Sequence, residues 1–137
     1  MSTQLLFVCV ENSNRSQMAE GFARALGGGG VTAYSAGSRP SGTVNPRAIR
    51  FMAERGIDLS VQKSKSLDEL PAVHWDYVVT MGCGDACPHL PARQRLDWDL
   101  PDPKVMEDDA FRGVRDRIEA LVVELIASAS RTVEPRS

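Results

Sequence analysis

Cys9 and Arg15 are separated by five residues in the stretch LLFVCVENSNRSQMAE, so a nucleophile and a guanidinium stand at the two ends of one short loop. The run from Leu5 to Val10 is apolar, and helix-forming sequence begins near Ser16. Val10, Glu11, Asn12, Ser13, Asn14 and Arg15 must therefore curl between a strand end and a helix start. Such a loop is an anion cradle. Successive backbone N–H groups in a tight turn point inward, the helix N-terminus adds its positive end, and Arg15 can fork onto two oxygens of a tetrahedral oxyanion. The same donors stabilise a thiolate, so Cys9 reads as a nucleophile assisted by the Ser16 hydroxyl. Asn12 suits the positive φ that such a curl needs. The competing reading, a buried strand cysteine and a surface arginine, loses weight because a strand precedes the loop and a helix follows it.

The remaining cysteines are Cys83 and Cys87, in the glycine-containing stretch GCGDACPHLPA. Three cysteines are an odd number and too few for a disulfide framework, so in a reducing compartment they are packed, metal-bound or reactive. Cys83, Cys87 and His89 match no common zinc spacing, and the usual second half of such a site is missing, so no metal is expected. His74 precedes a strand and reads as solvated or capping. Trp75 and Trp98 read as packing residues. Glu107, Asp108 and Asp109 read as favourable charge at a helix N-terminus. No glycine-rich nucleotide or dinucleotide fingerprint follows a strand, and no organic cofactor is implied.

The elements that must position these groups alternate between continuous apolar runs and amphipathic ones, the pattern of an α/β domain whose parallel strands are covered on both faces. Strands are expected over residues 4–10, 31–37, 75–81 and 93–98. Helices are expected over 16–26, over 46–55 with Asn45 as N-cap, Pro46 in the first turn and Gly56 as terminator, and over 107–128. In the last of these, Phe111, Val114, Ile118, Leu121, Val122 and Leu125 form one stripe. Residues 131–137 read as a frayed tail. Ligands of open α/β sheets sit beyond the carboxyl ends of the strands, and all three cysteines fall at that edge.

The chain of 137 residues fits one domain, residues 1–137. Its 16 basic and 18 acidic side chains form no block of like charge, so neither nucleic acid nor a membrane surface is expected as a partner. No apolar run approaches the ~20 residues of a membrane span, and MSTQ leads into the first strand without a secretory n-region, so the chain reads as cytoplasmic.

The segments CVENSNRSQMAEGFAR, YSAG, VNPRAI, VVTMGCGDACP and DLPDP resemble, in order and near spacing, those of thioredoxin-coupled arsenate reductases, which share the low-molecular-weight tyrosine phosphatase fold. The resemblance covers nearly the whole chain. It implies a four-stranded parallel sheet with helices on both faces, arsenate as substrate with phosphate or sulfate as competing anions, and thioredoxin as reductant. It implies that Asp102 is the general acid for the leaving oxygen. It further implies a relay in which Cys83 attacks Cys9 to expel arsenite and Cys87 then attacks Cys83, leaving a disulfide for thioredoxin.

Three features separate the chain from the phosphatases of that fold. Asn14 replaces the second loop cysteine and Gln17 the proline. Lys104 and Val105 follow Asp-Pro where an aromatic pair is usual. By the same resemblance, Cys83 and Cys87 would supply the two electrons that reduction needs and hydrolysis does not. Glu11 stands where Gly or His is more usual, and a carboxylate there weakens anion binding unless it turns outward or meets a cation. Part of the family holds a potassium ion beside the cradle through residues that map onto Asn12, Glu20 and Ser35. The fourth maps onto Lys65, whose ammonium then takes the cation position and orders Asn12. A low-molecular-weight tyrosine phosphatase, a reductase served by a low-molecular-weight thiol, and a non-catalytic anion- or metal-binding module remain open as alternatives.

Overall fold

The computed structural model describes residues 2–82 and 90–132, the side chains as far as residue 129. Four strands, β1 (Thr3–Cys9), β2 (Val31–Gly37), β3 (Tyr77–Thr80) and β4 (Gln94–Asp97), form one parallel sheet in the order β2-β1-β3-β4. The helices are α1 (Arg15–Gly27), α2 (Pro46–Ala53) and α3 (Asp108–Thr132).

Leu5, Leu6, Phe7 and Val8 are fully buried, which explains why β1 reads as an unbroken apolar run: the central strand is covered on both faces. Leu5, Phe7 and Val79 pack under Met18 and Phe22 of α1, Phe51 and Met52 of α2, and the α3 stripe. Leu6, Val8 and Val78 form a smaller layer on the opposite face. Among the described residues it is covered by Leu67 of the 3₁₀ turn Leu67–Glu69 and by Leu70, Trp75, Leu90 and Ala92.

The chain leaves β1 for β2 on one side and returns to β3 on the other, so the carboxyl end of β1 is the topological switch point. Cys9 pairs in register with Gly37, and Val8 with Thr80. The thiol therefore sits where a sheet of this kind opens to a ligand.

Local signals match the element ends well. Asn45 Oδ1 accepts the Arg47 N–H at 2.8 Å with Pro46 in the first turn of α2, and Gly56 takes φ 74° just beyond its end. Asp108 and Asp109 lie in the first turn of α3. β3 is shorter than the expected 75–81. The Asp76 carboxylate takes the Gln4 N–H at 2.8 Å, and Trp75 turns onto the second face to meet Tyr34 edge-on at 5.2 Å. α3 runs past residue 128 because Ala129 continues its buried stripe by another turn, and Leu121 lies at the margin of that stripe, only partly buried. Trp98 packs on Phe7, and His74 is exposed. Among the described residues no helix is long and apolar enough to cross a membrane.

Candidate active site

The cradle owes its polarity to what holds it from outside. Cys9 O accepts from Ser38 N (3.3 Å), Val10 O from Arg39 N (2.8 Å), Ser13 O from Asn45 N (3.0 Å) and Asn14 O from Met18 N (2.9 Å). Glu11 O accepts from Ser41 N and Ser64 Oγ, both at 3.0 Å, and Asn12 O from Gln17 Nε2 at 3.0 Å. Every carbonyl from residue 9 to 14 thus has a partner in the surrounding scaffold or in α1, and since N–H and C=O of a planar trans peptide point in opposite directions, the following N–H groups are turned toward the inside of the curl. Asn12 takes φ 52°, the only positive φ of a non-glycine residue among those described. Gly37 permits the loop to lie against β2: a Cβ there would stand 2.5 Å from Val10 O.

Cys9 lies at the floor of the loop, 3% exposed, with Sγ 2.8 Å from Ser16 Oγ. Asn12 Nδ2 donates to the same oxygen at 2.7 Å, so the serine proton is free for sulfur. Asn12 is itself fixed, its Oδ1 accepting from Gln17 Nε2 (2.9 Å) and from the backbone N–H of Lys65 (2.9 Å). Gln17 Nε2 also reaches Lys63 O, and Gln62 Nε2 donates to Gln17 Oε1 at 2.7 Å. This amide chain from Gln62 through Gln17 to Asn12 was not expected. Its only sequence signal was glutamine in place of proline at position 17.

Arg15 is 8% exposed and donates through Nη1 to Leu100 O at 2.9 Å, while Nη2 stands 3.9 Å from Asp102 Oδ2. Asp102 is exposed, and its carboxylate caps the turn Pro103–Val105 by accepting the Lys104 N–H at 3.0 Å. Cys9, Val10, Glu11, Ser13, Asn14, Arg15 and Asp102 line one cavity of about 200 Å³. Glu11 does meet a cation: Lys104 Nζ lies 3.4 Å from both of its carboxylate oxygens.

Beside the cradle, Glu20 is 3% exposed and accepts from Ser35 Oγ at 2.5 Å and from Arg24, with Lys65 Nζ 3.8 Å away. Asn12, Glu20, Ser35 and Lys65 are therefore neighbours. The contact from Lys65 to Asn12 is made by its backbone amide, while its ammonium donates to Lys63 O at 3.2 Å and stands 3.8 Å from Glu20.

Cys83, Cys87 and His89 lie outside the described residues. The described chain reaches Gly82 directly beside Arg15, since a Cβ on Gly82 would stand 2.9 Å from Arg15 Nη1. Among the described residues no group of three His, Cys, Asp or Glu is placed to hold a metal ion. Chemically, the described groups can bind a tetrahedral oxyanion through amides and a guanidinium and present a thiol to its centre from one side. Asp102 adds a carboxyl group in the same cavity.

Residues 4–134 match the family model described as low molecular weight phosphotyrosine protein phosphatase. A glutaredoxin arsenate reductase from Synechocystis sp. is 42% identical over 130 residues, covering 93% of this chain and 98% of that protein. A solved arsenate reductase in the phosphate binding state is 40% identical with a TM-score of 0.84, covering 93% of this chain and 99% of that one. A thioredoxin-dependent arsenate reductase from Corynebacterium glutamicum is 32% identical with a TM-score of 0.78, covering 96% of this chain and 63% of that one.

Proposed function

The chain belongs to the low molecular weight phosphotyrosine protein phosphatase family, and from that premise we propose that it is an arsenate reductase working by a cysteine relay. The observation that carries this reading is the Cys9 loop, whose carbonyls are all engaged outward, so that amides and Arg15 surround a thiol in a cavity of about 200 Å³. That cavity suits an inorganic oxyanion. Support for a reductase over an esterase comes from Lys104 and Val105 after Asp-Pro, from the two further cysteines, and from relatives of nearly the same length that are arsenate reductases.

In the proposed reaction, arsenate sits on the loop amides and Arg15, with phosphate and sulfate as competitors. The Cys9 thiolate attacks arsenic, and Asp102 gives its proton to the departing oxygen, which leaves as water. Ser16 donates to the sulfur and holds it as thiolate before attack. Cys83 then attacks the Cys9 sulfur. A disulfide forms between them, the electron pair of the sulfur–arsenic bond remains on arsenic, and arsenite departs. Cys87 attacks Cys83, frees Cys9, and leaves a Cys83–Cys87 disulfide that thioredoxin reduces in the cytoplasm. No organic cofactor or nucleic acid enters this scheme.

The test is turnover of arsenate with thioredoxin, thioredoxin reductase and NADPH, run beside hydrolysis of p-nitrophenyl phosphate. Wild type should reduce arsenate with many turnovers. Cys9→Ser should lose both reactions, whereas Cys83→Ser and Cys87→Ser should lose turnover of arsenate and keep the slow hydrolysis. A parallel assay with glutathione and glutaredoxin addresses the reductant, because the Synechocystis relative is called a glutaredoxin enzyme. Wild-type reduction rates in the two relay variants would refute the relay.

A further inference from the structure

The charged side chains that line the cavity are two carboxylates, Glu11 and Asp102, and one guanidinium, Arg15. That balance is poor for a doubly charged oxyanion, since two carboxylates oppose the single guanidinium that must hold it together with the amides. Resting on the oxyanion reading above, we propose that Lys104 is a positioning residue of this site. Its ammonium neutralises the Glu11 carboxylate at the cradle lip and ties the Asp102 turn to that lip.

Lys104 is anchored at three points. Its Nζ stands 3.4 Å from both Glu11 oxygens, its N–H donates to Asp102 Oδ1 at 3.0 Å, and its carbonyl accepts from Arg47 Nη1 at 3.3 Å. Arg47 also donates to Met106 O at 2.6 Å, which fastens the far end of the same turn to α2. On the opposite side, the Glu11 backbone is held by Ser41 N and Ser64 Oγ. The pair therefore joins two separately fixed segments, and Lys104 sits where it can set both the charge of the lip and the reach of Asp102. A role in fold stability is a poor alternative. The side chains are 41% and 55% exposed, and pairs so open to solvent contribute little to stability. The same lip charge acts on a bound dianion through two charges rather than one, an effect that low ionic strength leaves largely unscreened.

The readout is the dissociation constant of inorganic phosphate, taken from its protection of Cys9 against iodoacetamide at low ionic strength, together with the melting temperature. Lys104→Ala should weaken phosphate about 5-fold, the size of one partly screened charge near a dianion. Lys104→Arg should bind as wild type does. Glu11→Gln combined with Lys104→Ala should return the constant to within about 2-fold of wild type, because the repulsive carboxylate leaves with its partner. Melting temperatures should be nearly constant across the set. Unchanged binding in Lys104→Ala, or a double variant as weak as the single one, would overturn the proposal. Phosphate binding needs no reductant, so this pattern in a protein that failed to reduce arsenate would refute the reaction alone. Wild-type Cys9 that phosphate does not protect would remove the site and this proposal together.

Discussion

Ser16 Oγ lies 2.8 Å from Cys9 Sγ, and because Asn12 Nδ2 donates to the same oxygen, the serine keeps its proton available for an ionised sulfur. A hydrogen bond to an ionised acceptor is worth about 1.5–3 kcal/mol, so its loss should be visible in thiol reactivity. Ser16→Ala is expected to slow alkylation of Cys9 by iodoacetamide at pH 6.5 about 10-fold, while phosphate still protects the thiol. Peptide mapping identifies the labelled cysteine. Equal rates in wild type and Ser16→Ala would show that the hydroxyl does not stabilise the thiolate, and labelling of Cys83 or Cys87 ahead of Cys9 would remove the nucleophile assignment.

Gly82 has φ 72°, and a Cβ there would stand 2.9 Å from both Arg15 Nη1 and Leu100 O, the two atoms that hold the guanidinium in place. Gly82→Ala must therefore strain the backbone and push Arg15 away from its anchor. The expected cost is about 1–3 kcal/mol of stability. Phosphate should also bind about 10-fold more weakly as one fork of the oxyanion grip is lost. Denaturant unfolding and the Cys9 protection assay measure the two effects separately. A variant with lowered stability and unchanged phosphate affinity would mean that the guanidinium keeps its position without this contact.

The cradle was legible because its determinants are local. Apolar β1, the C-x5-R spacing and the helix after Ser16 all lie within the first 27 residues, and Asn12 announced its left-handed backbone by residue type. Its supports were not legible, because their partners are distant in sequence and of ordinary composition. Gln62 reaches Gln17 across 45 positions, and Lys104 reaches Glu11 across 93. Even at Lys65, where a role was expected, the group that touches Asn12 is a backbone amide, which no residue type signals. β4 carried the weakest pattern of the strands for a related reason: it is a four-residue edge strand, mostly exposed, so burial imposes no alternation on it.

Away from the site, Glu54 accepts from Arg112 and from Arg115, and hydrogen bonding to these two guanidinium groups lowers its carboxyl pKa from 4.5 to about 2. A lowered folded-state value means that the unfolded chain binds a proton more readily. The stabilisation is therefore complete above about 4.5 and is lost as pH falls from there through about 2. Acid unfolding followed by circular dichroism at low salt should show wild type losing stability across that window. Glu54→Gln, already lacking the ion pair, should be less stable at pH 7 and lose less between pH 5 and 2. Added salt should shrink the part of the difference that Arg112 supplies, because Glu54 and Arg112 are partly open to solvent, and act less on the part from the buried Arg115. Parallel acid curves for the two proteins would show that the pair contributes nothing to folding.

Lys65 presents the cleanest separation between a backbone and a side-chain role. Its N–H holds Asn12 Oδ1 at 2.9 Å, and its ammonium stands 3.8 Å from the buried Glu20 carboxylate, which Ser35 and Arg24 also engage. If the ammonium serves as a tethered cation, exchanging K+ for Na+ at constant ionic strength should leave the melting temperature of the wild type unchanged. Lys65→Asp keeps the amide and exchanges the cation for a carboxylate beside Glu20, Ser35 and Asn12. That variant should acquire K+-dependent stabilisation, which by mass action reaches about 2.7 kcal/mol at 100 times the dissociation constant. Lys65→Ala also keeps the amide, so the loop should retain its shape and phosphate should bind within about 3-fold of wild type. Its melting temperature should fall, because Glu20 loses one of its cations. The decisive quantity is the K+-minus-Na+ difference in melting temperature for wild type against Lys65→Asp. A wild type clearly stabilised by K+ would mean that the ammonium leaves room for a free ion, and the tethered-cation role would fall while the amide contact to Asn12 stood.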